Sequence, residues 1–326
     1  MSIRQAARSI ALRVPAVERV VSHRDQLLQD ASSLHSRLAA VEAQRDSLSG
    51  RLAECQAELQ EAQKRLARTG EQSVLDAYVT EPPGRERAFR IFEGSWASEI
   101  PGYGFGAAKG LFDDPRIKWW GQQCGGLQGK RVLELGPLEG GHTSMMSKAG
   151  AASITAIESN TKAFLKCLIV QNTFKFNADF ILGDFRPYLE ICTETFDFLC
   201  ASGVLYHMTE PVKLLQDMAK VSRSIGIWTH YYDPDVILNT EYLARKFDEQ
   251  PRRERIGSRD VVSYKQSYLE ALNWSGFCGG NVPISYWLTR DSLIGVIEDL
   301  GFKVEIGSDE KKHPHGPCMT LFASRR

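Results

Sequence analysis

The sequence predicts an α/β domain built on a doubly wound, mostly parallel sheet and preceded by a long coiled-coil helix. Three observations carry this. Apolar residues step by four and three from Leu27 to Leu66, strand and helix patterns alternate from residue 131 onward, and a glycine-rich turn follows the first strand. A sustained 3.5-residue repeat leaves a narrow seam that a lone helix cannot bury. Repeated strand–helix alternation builds a parallel sheet with helices on both faces.

Composition sets the outer limits. The 326 residues hold a large domain plus an appendage, and 43% hydrophobic content supplies a core. Forty acids and forty bases cancel, so no global charge draws the chain to nucleic acid or membrane. The seven cysteines (Cys55, Cys124, Cys167, Cys192, Cys200, Cys278 and Cys318) form no CxxC pair. They read as reduced structural thiols in a reducing, cytoplasmic setting. No apolar run is long enough to span a bilayer.

Four segments follow one another. Residues 1–16 are basic and free of acid, with Ile3, Ala7, Ile10 and Val14 on one face. The plain reading is a short helix ending near Pro15; the functional one is peripheral contact with a membrane surface. Residues 17–70 form the coiled coil, and its function is homo-oligomerisation. Arg45 interrupts an otherwise apolar seam, where a polar residue lowers stability but fixes register or oligomer state. Residues 71–89, with Pro82, Pro83 and Gly84, read as a linker. Residues 90–326 are the α/β domain, with an insertion at about 233–286.

Within that domain RVLEL, SITAIE, DFIL, FDFLCAS and IGIWTH are the first five strands, and FKVEI and CMTLFAS the last two. Asn160 caps the helix after SITAIE, Thr289 caps RDSLIGVIEDL, and Gly301 ends it. In a sheet of this kind a ligand binds at the carboxyl ends of the strands. Two cofactors compete for the turn in RVLELGPLEGG: a nicotinamide dinucleotide and S-adenosylmethionine. Dinucleotide loops need glycine for close approach of a pyrophosphate, and here Leu138 stands between Gly136 and Gly140. Glu134 in the apolar strand is costly to bury without a partner. A cofactor with a cationic amino-acid end supplies that partner, whereas a pyrophosphate repels it. Glu158, at the end of the second strand, is placed for ribose hydroxyls. Asp184 is placed for an adenine amino group and Phe185 for the adenine ring.

The ordered set VLELGPLEGG, AIESN, LGDF and FDFLCASGVLYHM resembles class I S-adenosylmethionine-dependent methyltransferases, from about residue 118 to the end. The resemblance implies a Rossmann-like sheet of seven strands, the last one antiparallel. It also implies S-adenosyl-L-methionine as cofactor, held by Glu134, Gly136, Gly140, Glu158 and Asp184, with Leu138 in place of the usual middle glycine. Ser202 opens SGVLYHM, after the fourth strand, where that family places the transferring methyl group. GVLYH is similar to a stretch in tRNA wobble-uridine carboxymethyl- and methyltransferases. There a basic pair follows the histidine; Met208 and Thr209 follow here, which favours plain methyl transfer. The stretch is also similar to methyltransferases of bacterial glycan synthesis, some of which carry coiled-coil extensions.

Methyl transfer to a hydroxyl depends on positioning and is helped by a general base. His207 and His230 both end strands on the binding edge, and either supplies that base. Tyr206, Tyr231 and Tyr232 are placed to shape the acceptor pocket. HPHG (His313–Gly316) shows two histidines and no third ligand, so it reads as a solvated turn and no metal site is expected. Residues 245–259 mix bases with acids and read as a solvated helical face. Trp96 and Tyr103, among glycines, suit a lid, and RIKWW either completes the cofactor pocket or is core. The expected function is O-methylation of a sugar, glycan or small metabolite. The alternatives are a tRNA-modifying methyltransferase, and a non-catalytic scaffold with a degenerate pocket.

Overall fold

The computed structural model describes residues 15–68, 78–107, 110–273, 277, 279–280 and 282–326. The basic segment expected over residues 1–16 lies outside these residues except for Pro15 and Ala16, as do Cys278 and residues 71–77 of the linker. Chain contacts divide the protein into two units, 1–80 and 81–326.

In the first unit a 54-residue helix runs from Pro15 to Arg68, about 80 Å at 1.5 Å per residue. Its seam is laid bare: Leu27, Leu34, Leu38, Val41, Leu48 and Leu52 are each more than half exposed. Arg45 turns its guanidinium onto Asp46 beside it, at 2.7 Å.

The second unit is organised by a seven-stranded sheet. Its strands in chain order are β1 (Arg131–Leu135), β2 (Ser153–Glu158), β3 (Asp179–Leu182), β4 (Phe198–Ser202) and β5 (Ser224–His230). A separate three-stranded sheet comprises β6 (Arg252–Ile256), β7 (Arg259–Ser267) and β8 (Ile284–Leu288), and β9 (Phe302–Glu310) and β10 (Cys318–Arg325) complete the large one. The order across the large sheet is β3-β2-β1-β4-β5-β10-β9. The first five strands pair in parallel, and β10 pairs antiparallel with both β5 and β9. Sequence order reverses between β1 and β4, and a ligand crevice opens at such a switch point.

Each face of the sheet has its own core. Leu133, Leu135, Leu199 and Ile227 pack on one side with the helix Pro211–Val221. Val132, Phe198 and Cys200 pack on the other with Trp120 and Met146. This alternation is the period-2 pattern of strands buried on both faces. A side chain at Gly226 would meet the Trp120 ring at 2.6 Å, so glycine there lets the indole lie flat on β5 and donate to the Leu321 carbonyl at 2.9 Å. RIKWW therefore contributes core through Ile117 and Trp120.

The insertion departs from its sequence reading. Residues 252–267 are a hairpin rather than a helical face: exposure alternates along β6, and Gly257 takes a positive φ of 60° at the turn. Three of its four arginines are paired, Arg252 with Glu210 and Glu254, Arg255 with Asp260, and Arg259 with Asp299. The expected lid is also different. Trp96 is 4% exposed and packs with Phe89, Ile100 and Val170 as a third core cluster, its indole donating to the Phe89 carbonyl.

Candidate functional site

At the end of β1 the chain turns through three residues of positive φ: Gly136 (67°), Leu138 (56°) and Gly140 (72°). Leucine in the left-handed region is strained by roughly 1 kcal/mol. The conformation is held because the Leu138 backbone N–H donates to Glu158 Oε2 at 3.1 Å. The other oxygen of Glu158 accepts from the Asn160 N–H at 2.8 Å. Glu158 thus ties the ends of β1 and β2 together and keeps lone pairs for a further donor.

Glu134 is 2% exposed and accepts a 2.5 Å hydrogen bond from Thr143 on the next helix. Burial pushes its carboxyl up to about 7, Thr143 pulls against this, and the nearby Glu158 adds to it. A buried acid with one hydroxyl donor fits a cationic ligand group.

Two supports of this turn have no signal in the sequence. Glu139, fully buried, accepts from the backbone N–H of Ala97 (2.7 Å) and Ser98 (3.0 Å) and pairs with Lys166 at 2.9 Å. A Cβ at Gly141 would come within 2.8 Å of the Leu111 backbone. Ala97, Ser98 and Leu111 are thereby held close against the turn. Asp114 continues this anchorage, holding His142 at 2.9 Å and Arg116 at 2.6 Å, and both keep its carboxyl below the usual range against burial.

The acids after β2 and β3 fare differently. Asp184 follows β3 as expected, but its carboxylate caps the following helix and binds the Arg186 guanidinium at 2.7 Å. Phe185, expected on the adenine ring, lies instead in the main core at 8% exposure. Its place as the first residue of a helix turns the ring inward.

At the carboxyl ends of β4 and β5 the structure gathers aromatic rings. Ser202 and Gly203 lead into the 3-10 turn Leu205–His207. Tyr206 stands edge-on to His230 at 4.7 Å, and Trp287 of β8 stacks on His230 at 4.9 Å and 11°. Trp287 Nε1 is buried and has no hydrogen-bond partner among the described residues. The two histidines are no longer equivalent. His207 Nδ1 is engaged by the Tyr268 hydroxyl at 2.6 Å, and desolvation, with His230 nearby, pushes it down to about 3. His230 Nδ1 faces the carbonyls of Gly316 (2.9 Å) and Pro317 (3.1 Å). With two acceptors there, Nδ1 carries the proton and Nε2 the lone pair. Burial pushes His230 down to about 4, so it is neutral near pH 7.

Tyr231 and Tyr232 do not join this group. The Tyr231 hydroxyl donates to Asp309 at 2.6 Å, and Tyr232 stacks on Tyr264 of the inserted sheet at 3.6 Å. The HPHG loop, expected to be a solvated turn, packs against His230 instead, with the His313 ring 5.1 Å away. Donor atoms of His230, His313 and Cys318 lie within 4.8 Å of one another. A second trio, Glu134, His142 and Cys200, is already committed to Thr143 and Asp114 through its first two members.

Residues 133–229 match the family model described as a methyltransferase domain. A tRNA U34 carboxymethyltransferase from Campylobacter hominis is 29% identical over 118 residues, 36% of this chain and 38% of that protein. The chain thus matches less than two-fifths of that relative's length. Among solved structures, the N-terminal domain of EvdMO1 with SAH and D-fucose aligns with a TM-score of 0.54 at 23% identity. The match covers 74% of this chain and 95% of that one. The same domain with SAH alone gives 0.54 at 24%. The second unit shares the fold of that SAH-bound domain.

Proposed function

We propose, from the premise that residues 133–229 are a methyltransferase domain on the class I fold, that the chain methylates a hydroxyl of a sugar, glycan or small metabolite. S-adenosylmethionine, when bound, supplies an electrophilic methyl group on a sulfonium. Glu134 meets its cationic amino-acid end, Glu158 accepts from the ribose hydroxyls, and the turn 136–140 carries its backbone past the ligand. Asp184 contributes to the adenine end from the capped terminus of β3. Ser202 and Tyr206 border the transfer point, and His230 Nε2 takes the proton of the acceptor hydroxyl.

The single observation that carries the acceptor reading is the pair of backbone carbonyls that face His230 Nδ1. Its Nδ1–H is fixed on two backbone carbonyls, so its basic nitrogen is defined before any substrate arrives. The aromatic rings around it suit the apolar faces of a sugar, and the structural relative was solved with D-fucose. The exposed seam of the 54-residue helix supports a homo-oligomer formed through a coiled coil.

The curated relative supports a tRNA acceptor as a second reading. Against it, the arginines of the inserted hairpin named above are bound by acids, and phosphate-tracking surfaces need uncommitted cations. The test is SAH release on incubation with S-adenosylmethionine and a panel of D-fucose and related deoxysugars, with total tRNA as a parallel arm. Sugar-dependent SAH release is expected. Release with tRNA alone, lost as salt is raised, would replace this reading.

A further inference from the structure

Two histidines flanking a proline and a cysteine three residues on carry no metal signature in the sequence, because the loop alone shows too few ligands for a closed site. The fold supplies what the spacing lacks. His230 ends β5, Cys318 opens β10 directly opposite it in the antiparallel pair, and His313 leans in from the loop before β10. The three offer two imidazole nitrogens and one sulfur with donor atoms no more than 4.8 Å apart.

We infer that His230, His313 and Cys318 form a binding site for a borderline-soft divalent cation of the zinc class. The donor set, nitrogen and sulfur, is the one such cations select. His230 already has the outer arrangement of a metal ligand: its Nδ1–H is held by the Gly316 and Pro317 carbonyls, which leaves Nε2 for the ion. Tetrahedral zinc needs donors roughly 3.4–3.8 Å apart at metal–ligand lengths of about 2.0–2.3 Å. The gap is closed by the half-exposed His313, which lies on a loop, while His230 and Cys318 are fixed in the sheet. The His313 ring accepts a 3.2 Å bond at Nδ1 from the exposed His315 backbone N–H, which water replaces at little cost.

Binding converts the Cys318 thiol to a thiolate. The S–H bond breaks, sulfur keeps the electron pair and bonds to the cation, and the proton passes to Glu310. That carboxylate already accepts from the thiol, Sγ to Oε2 being 3.7 Å. The consequence for catalysis rests on the function proposed above: the cation occupies the His230 lone pair assigned to the acceptor proton, so the loaded protein is inhibited.

The site is tested without any acceptor. Tag-free, chelator-washed full-length protein is titrated with Co²⁺ and then with Zn²⁺. The expected result is one equivalent with tetrahedral visible absorption and a near-ultraviolet thiolate–cobalt band, both abolished by Zn²⁺. Cys318→Ser should remove the near-ultraviolet band. Cys318→Ser and His313→Ala should each weaken Zn²⁺ binding by more than about tenfold. His313→Ala, on an exposed loop, guards against misfolding, and its metal-free melting temperature should match the parent. An octahedral cobalt spectrum without the sulfur band, or zinc binding unchanged in both variants, overturns the site. Calorimetric S-adenosylmethionine binding on the same samples reports on the methyltransferase reading separately.

Discussion

The long helix and the sheet domain treat polarity in opposite ways. From Leu27 to Leu52 the helix holds its apolar residues out to solvent, and its arginines at 24 and 45 turn aside onto the neighbouring aspartates. The domain buries acids: Glu134, Glu139 and Glu158 are all under a tenth exposed, each with identified donors. An exposed apolar stripe is stable only against a partner surface, whereas a buried carboxylate is stable only with donors or a cation at hand. The coiled coil and the ligand site proposed above rest on these two features respectively.

That contrast is broken most sharply by disrupting the seam. Replacing Leu38 and Leu48 together by serine should turn the protein to monomers in sedimentation, since each buried leucine lost costs about 2–5 kcal/mol. S-adenosylmethionine affinity should be unchanged. A parent protein that already sediments as a monomer would refute the role given to the helix.

His230→Gln should do the reverse. The oligomer and cofactor affinity stay as they were, while SAH release with a competent hydroxyl acceptor falls by about 10²–10⁴-fold. A loss confined to KM would make His230 a contact for the acceptor and not its base.

The long helix, the strands and the glycine turn after β1 were legible in the sequence because each is a local pattern. Heptads, alternation, and an acid before a glycine turn all lie within a few residues of chain. What was not legible depends on pairing across the fold. Glu139 meets Ala97, Ser98 and Lys166 from segments 27 to 42 residues away. His207 and His230 look equivalent in the chain and are distinguished only by Tyr268 and by the Gly316 and Pro317 carbonyls. The reading of 245–259 as a helical face fails where the hairpin begins at Arg252, because paired charges along a strand resemble a charged helical face when only composition is counted.

A smaller effect comes from Glu134. Burial first, then Glu158, raise its carboxyl to about 7 against Thr143. A cationic ligand prefers the ionised acid and lowers its pKa, so binding expels a proton from molecules still protonated. Affinity for S-adenosylmethionine should therefore rise by up to about tenfold between pH 6 and 8 and then level off. Glu134→Gln should flatten the profile. A profile of unchanged slope in the variant would move the titration elsewhere.

The smallest effect is expected at Leu138. Its φ of 56° makes Leu138→Gly a relief of strain offset by added chain entropy, a net change within about 1 kcal/mol. The melting temperature should move by only a few degrees, and cofactor affinity should stay within about twofold of the parent. A large loss of affinity would show that the leucine side chain itself contacts the ligand.

The central claim, that the crevice between β1 and β4 holds S-adenosylmethionine against Glu158, is tested most directly by titration calorimetry on the full chain. The account predicts one site per chain, weakened by about 2 kcal/mol, or roughly thirtyfold, in Glu158→Ala. No binding by the parent protein, or equal affinity in the variant, would contradict it.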